Sequence, residues 1–206
     1  MARRRCGAHR APGAAAAGGR DAAEAERAKQ LSLLAAAAGP QAALVPLIES
    51  AAGLAALDEL AAAPQVLRLA FGHLDFQSDL GLACEADEPE LIPVRLSLVL
   101  ASRRASIAAP VDGVTPDWRD LDRLAADAAR ARRGGFGAKL CIHPDQVSPV
   151  QAAFAPSAEQ LAWARRVDAA MRAAGGGAIN MDGRMVDAPV LRLAQRLLAH
   201  DGQGRG

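Results

Sequence analysis

The 206-residue chain has no tyrosine, and its four phenylalanines and two tryptophans bring the aromatic share to only 3%. That is too little for a platform on which single-stranded nucleic acid stacks its bases. Acids and bases nearly cancel, 23 against 24, for a net charge of +1. No field of one sign therefore points to nucleic acid or to an anionic membrane. No apolar run of roughly 18 residues free of charge occurs, so no membrane span is expected. The three cysteines, Cys6, Cys84 and Cys141, are widely spaced and odd in number. They argue against a disulfide framework or a zinc site and for reduced thiols in a cytoplasmic setting. Lysine is scarce as well, Lys29 and Lys139 standing beside 22 arginines, while alanine supplies 51 residues. This skew looks like a GC-rich bacterial coding sequence and carries no functional signal.

What is present is ordinary for a globular protein: 51% hydrophobic and 23% charged residues, in one domain's worth of chain. Residues 1–20 stand apart, with five arginines and no acid. No apolar segment follows that basic start, so it reads as a disordered tail rather than a secretory signal. From Asp21 the chain becomes periodic. Residues 21–39 read as a helix closed by Gly39 and Pro40. Short apolar runs near 44–48, 66–71, 107–111 and 138–142 then alternate with helical stretches. These include 50–64, one long helix over 88–106, another over about 117–133, and helices from about Ser157 to Ala174 and from Asp187 to His200. Strands alternating with helices pair in parallel through right-handed crossovers. Their unbroken apolar character fits a sheet covered on both faces. The fold class is α/β, and both an open sheet and part of a (β/α)8 barrel fit the pattern. A complete barrel takes about 250 residues and eight strands; four strands are read here.

In parallel α/β proteins function collects at the carboxyl ends of the strands. Glu49 follows the first strand; His73, Asp75 and Asp79 follow the second; Asp112 follows the third and His143 the fourth. Glu49 and Asp75 leave consecutive strands at equivalent positions, and neighbouring strands lie about 4.8 Å apart. Two converging carboxylates without a thiol or a second imidazole form a hard oxygen site suited to Mg²⁺. The alternative is plain helix capping, since each acid also stands at a helix N-terminus. Asp79 reads as a solvated helix residue and His73 as a rim residue. His143, before Pro144, reads as hydrogen-bonded structure. The glycines of GGFGAK (134–139) lack the spacing of a phosphate loop and precede a strand, which makes them a helix-ending turn. Asp187 sits where an N-cap belongs, with a mobile acid on a C-terminal arm as its alternative. Cys84 and Cys141 have no evident base partner.

LVPLIESAAGL (44–54), LAFGHLDFQSDLGL (69–82), VDGVTPDW (111–118), GFGAKLCIHPDQVSPVQAAFAPS (135–157) and DGRMVDAPVLRLAQ (182–195) resemble the citrate lyase β-subunit-like branch of the HpcH/HpaI aldolase superfamily. The strings occur in family order over about 44–195. The resemblance implies a partial TIM barrel with Mg²⁺ at its C-terminal mouth, residues 21–206 forming the C-terminal half with a C-terminal helical arm. It implies a CoA-ester lyase or aldolase acting on a malyl-, citramalyl- or citryl-type thioester, with acyl-CoA and 2-oxo acid as partners, and a homo-oligomer. The family's metal carboxylates fall on Glu49 and Asp75, with Glu49 also at the substrate. Its C-terminal catalytic acid, which in such oligomers reaches a neighbouring subunit's site, falls on Asp187. The family's opening strands, an early acidic strand-end motif and a substrate-binding arginine have no counterpart, so a truncated product is expected. A non-catalytic remnant or interaction module and a hydroxyacyl-CoA thioesterase are the competing readings.

Overall fold

In this computed structural model the described residues are 33–37, 39–175 and 177–203; the tail expected over 1–20 and most of the helix expected over 21–39 lie outside them. The helical residues 33–37 form α1. Four parallel strands follow, β1 (Leu47–Ile48), β2 (Ala70–Phe71), β3 (Val111–Asp112) and β4 (Ala138–Lys139), side by side in chain order. Their register pairs Leu47 with Ala70, Ile48 with Phe71, Ala70 with Val111, and Val111 with Ala138. A further bridge joins Leu44 to Val66, extending the β1–β2 pairing over most of the two apolar runs. This is the parallel α/β architecture expected of those runs. The chain forms two compact units.

The first unit holds the described residues up to Val114 and residues 134–140, and so contains the whole sheet. After β1 come two short helices, α2 (Ala51–Ala55) and α3 (Leu57–Ala62), where a single helical stretch is expected from the sequence. After β2 comes α4 (His73–Leu80), which ends on Gly81 at φ +67, a left-handed cap that glycine adopts without a side-chain clash. The expected helix over 88–106 divides into a 3₁₀ turn, Pro89–Leu91, and α5 (Ile92–Arg104). Pro93 falls in the first turn of α5, where its missing N–H costs nothing. The core is built from Ile48, Leu69, Phe71, Phe76, Leu91 and Leu98, all fully buried. Phe71 and Phe76 meet edge to face at 5.6 Å.

The second unit holds residues 115–133 and those from Cys141 onward. It contains α6 (Leu121–Arg133), α7 (Val147–Phe154), α8 (Ala158–Ala173) and α9 (Ala188–Gln203), with a hairpin, β5 (Ile179–Met181) and β6 (Arg184–Val186), between the last two helices. Sequence reading misses both α7 and this hairpin. The turn is visible in MDG: Asp182 at φ +54 and Gly183 at φ +77 supply the two positive angles of a tight two-residue connection. Ala164, Val167 and Met171 of α8 pack with Val186 and with Ala194 of α9. Among the described residues no helix is long and apolar enough to cross a membrane.

Helix α8 opens with a complete capping box, Ser157 Oγ accepting from the Gln160 N–H at 3.1 Å while Gln160 Oε1 accepts from the Ser157 N–H at 3.0 Å. Ser157→Ala is expected to destabilise the chain by about 1 kcal/mol, read as a lower urea midpoint with an unchanged slope.

Candidate active site

The register of β1 on β2 decides where the first carboxylate lies. Glu49 follows Ile48, and Gly72 follows its partner Phe71. The Gly72 N–H donates to the Ile48 carbonyl at 2.9 Å, holding the two chain segments together as they leave the sheet. Having no side chain, Gly72 leaves room for the Glu49 side chain. A Cβ placed on it would lie 2.7 Å from Glu49 Cβ and 3.1 Å from Glu49 Oε2. Gly72 is also the N-cap of α4, and Asp75 stands in the first turn of that helix. The Glu49 carboxylate and Asp75 thus belong to the same end of α4, at the carboxyl ends of two adjoining strands, and both residues are exposed. Neither is an N-cap. The capping oxygen of α2 is Ser50 Oγ, which accepts from the Gly53 N–H at 3.1 Å, and α4 is capped by a residue without a side chain.

His73 departs from the rim position expected of it. It is 3% exposed, and its Nε2 lies 3.2 Å from Glu88 Oε1. Glu88 Oε2 in turn accepts from Arg95 Nη2 at 2.6 Å, and Arg95 Nε donates to Asp112 Oδ1 at 3.0 Å. Asp112 is wholly buried, so β3 contributes a carboxylate to the core and none to the surface. On its other side the imidazole lies against Gly113, where a Cβ would fall 2.0 Å from His73 Nδ1. Arg95 also sits over the Phe71 ring, 5.5 Å from its centre. Four segments therefore meet in one chain of ionisable side chains: the start of α4, the turn before α5, α5 itself and β3. Burial pushes the Glu88 carboxyl up, but hydrogen bonds from His73 and Arg95, with the charges of both, outweigh it and hold the group down at about 2. Sequence reading misses Glu88 and Arg95. The available signal is Arg95 on the buried face of α5, in step with Leu91, Leu98 and Ser102.

Asp79 is not a free surface acid either. Its Oδ2 accepts from the backbone N–H of Ala51, two residues beyond Glu49, at 2.8 Å. Burial and the neighbouring acids Glu90 and Glu88 raise the thiol pKa of Cys84.

In the second unit, Asp187 is half-buried at the start of α9. Its Oδ1 accepts from the Val190 N–H at 3.4 Å, a long and weak capping bond. His143 behaves as hydrogen-bonded structure: its ring stacks on Trp118 at 3.9 Å and its Nδ1 accepts from the Asp145 N–H at 3.2 Å. Gln146 is fully buried, its Oε1 accepting from the Ile142 N–H at 2.9 Å and its Nε2 donating to the Thr115 carbonyl at 3.0 Å. It fixes the segment after β4 to the segment after β3.

The sequence profile of the HpcH/HpaI aldolase/citrate lyase family matches residues 15–144. A citrate lyase subunit beta-like protein of Deinococcus radiodurans is 37% identical over 157 residues, covering 75% of this chain and 55% of that protein. The mitochondrial citramalyl-CoA lyase of Rattus norvegicus is 33% identical over 167 residues, covering 75% of this chain and 49% of that enzyme. The chain thus spans about half the length of these curated relatives. Among solved structures, the CitE protein of Mycobacterium tuberculosis in complex with magnesium, acetoacetate and coenzyme A is 35% identical and superposes with a TM-score of 0.72, over 85% of this chain and 65% of that one. These folds are of the TIM-barrel type.

Since the Glu88 carboxyl is held at about 2, below its ordinary 4.5, its ionised form contributes stability above pH 4.5. That contribution falls away as pH drops from 4.5 through 2. Glu88→Gln is expected to be less stable than wild type at pH 7 and to lose less stability between pH 5 and pH 2, as read by urea melts across that range. A wild-type-like acid profile in the variant excludes the pairing.

Proposed function

The chain belongs to the HpcH/HpaI aldolase/citrate lyase family, and from that premise we propose that it is a Mg²⁺-dependent carbon–carbon lyase of CoA esters. It would cleave a hydroxyacyl-CoA of the malyl, citramalyl or citryl type to an acyl-CoA and a 2-oxo acid, or run the reverse condensation. The observation that supports this most is the pair of acids at adjoining strand ends, Glu49 folded over Gly72 and Asp75 in the turn that Gly72 begins. The relatives support the substrate class, one being named for citramalyl-CoA and another solved with magnesium, acetoacetate and coenzyme A.

The donor chemistry of this pair fits Mg²⁺. Both are hard oxygen ligands, and both are free of capping duty. Among the described residues no cluster of three or more His, Cys, Asp or Glu is gathered around a metal position. A pair of carboxylates suits an ion that completes its octahedron with substrate oxygens and water. Glu49 and Asp75 would hold Mg²⁺, which would supply Lewis acidity for the 2-oxo acid fragment. Glu49, the residue nearer the sheet, also lines the place of that fragment.

Cleavage requires the hydroxyl on the carbon β to the thioester to give up its proton to solvent water, from which the acid that later protonates the α-carbon is restored. The electrons of the breaking bond then pass to the thioester's α-carbon as an enolate. Asp187, in its acid form, returns a proton to that carbon; in condensation its carboxylate removes one. The long bond to Val190 leaves this carboxylate weakly committed to capping, which suits a group that must exchange a proton. Proton transfer by a positioned acid contributes roughly 10²–10⁴ in rate.

Glu49→Ala and Asp75→Ala are each expected to abolish Mg²⁺-dependent formation of 2-oxo acid, measured together with the acyl-CoA by chromatography. Unchanged turnover in either refutes the metal assignment. Free CoA and a hydroxy acid as products indicate hydrolysis instead of carbon–carbon cleavage, and neither pair of products at any Mg²⁺ concentration excludes the lyase. Asp187→Asn is expected to lower the rate about 10²–10⁴-fold while sparing Mg²⁺ affinity, and a loss of that affinity contradicts its role as the acid.

A further inference from the structure

The two carboxylates of the site sit on separate segments. Glu49 lies on the link between β1 and α2, and Asp75 lies on α4. Helix α4 is anchored in the core. At its first residue His73 is buried between Gly113 and Glu88, and Glu88 is held by Arg95, itself bonded to Asp112 of β3. One residue beyond Asp75, Phe76 is wholly buried against Phe71 of β2. Asp75 is therefore carried on a turn that His73, two residues before it, and Phe76, one residue after it, fix in the core. The Glu49 link leaves the sheet at the wholly buried Ile48, and beyond the exposed Glu49 its Ser50 is spent on the cap of the five-residue α2.

One side chain of α4 reaches across to that link. Asp79 lies one helical turn beyond Asp75, at the i+4 position, so the two residues share a face of α4. Asp79 Oδ2 accepts from the Ala51 N–H at 2.8 Å. The bond is charge-assisted and lands two residues past Glu49, so it ties the link that carries Glu49 to the anchored helix.

We propose that Asp79 is a positioning residue of the metal site: by holding the Ala51 N–H it sets the separation between the Glu49 and Asp75 carboxylates. This rests on the reading of those two acids as metal ligands. A divalent ion bound by two carboxylates pays for any freedom between them. Outer-shell partners that orient metal ligands are worth about 10–100-fold in metal affinity when removed. The Asp79 side chain is exposed, so its loss leaves the buried core intact.

The test uses the full chain and Mn²⁺ as the probe, followed by electron paramagnetic resonance at a temperature where circular dichroism shows every variant folded. Asp79→Ala is expected to weaken Mn²⁺ binding about tenfold. Asp79→Asn keeps an acceptor oxygen for Ala51 and is expected to restore most of that loss. Glu49→Ala, measured alongside, is expected to abolish binding. Wild-type affinity in Asp79→Ala beside a loss in Glu49→Ala overturns the positioning role and leaves the metal assignment standing. Wild-type affinity in Glu49→Ala overturns the metal assignment itself. Complete loss in both Asp79→Ala and Asp79→Asn makes Asp79 a ligand and overturns the positioning role in the other direction.

Discussion

The Arg95 guanidinium is the fixed point of the first unit, bonded through Nη2 to Glu88 and through Nε to Asp112. Three charged side chains buried together cost desolvation energy that their mutual attraction only partly returns. A well-packed apolar cluster of the same volume would hold the sheet to its helices at least as well. What the ionic chain adds is direction. Arg95 presents a planar fork, and each carboxylate meets it in a defined orientation. Glu88 accepts this constraint at φ +53, a left-handed backbone that is unfavourable for a residue with a side chain. Its second oxygen then orients His73 at the first residue of α4.

The geometry above the strands follows from that anchor and from two glycines. Gly113 admits the His73 ring, and Gly72 admits the Glu49 side chain. A methyl group at either place would collide with its neighbour, 2.0 Å from the imidazole in one case and 2.7 Å from Glu49 Cβ in the other. At both positions the absent side chain lets an ionisable one approach the backbone. The sheet thus delivers Glu49 and the start of α4 to one end, and the glycines decide how near the Glu49 side chain and the His73 ring come to the backbone.

Much of this was legible in the sequence, for reasons that differ from residue to residue. The parallel sheet shows because its strands are apolar runs between helical stretches; Glu49 closes the first such run, and Asp75 follows the second, in the first turn of α4. Asp187 shows as a cap through its place before Pro189. What escaped were contacts that depend on tertiary approach. Nothing in FGHLDF distinguishes an imidazole at the rim from one turned inward to Glu88, because the partner lies in another segment. Asp79 looks like any exposed helix acid until the segment after β1 is seen to come within 2.8 Å. The missed helix α7 and the hairpin of β5 and β6 are short, and the hairpin shows only in its turn residues. Arg95 escaped as well, although a charged residue in step with Leu91 and Leu98 on a helix face is a usable signal of a buried pairing.

The inward turn of His73 also bears on which cation the strand ends suit. An imidazole two residues from Asp75 and directed outward would give the two carboxylates a nitrogen partner, a set that favours zinc or iron over magnesium. Here Nε2 faces Glu88 and the Nδ1 side of the ring is pressed on Gly113. His143 is occupied by Trp118 and by the Asp145 N–H within its own unit. The donors that remain on Glu49 and Asp75 are oxygens alone. A hard ion that keeps its waters until substrate oxygens replace them matches such a pair better than a soft one that seeks nitrogen or sulfur. The buried ionic chain therefore does two things at once: it fixes the start of the helix that carries Asp75, and it turns the His73 imidazole away from the exposed end of that helix.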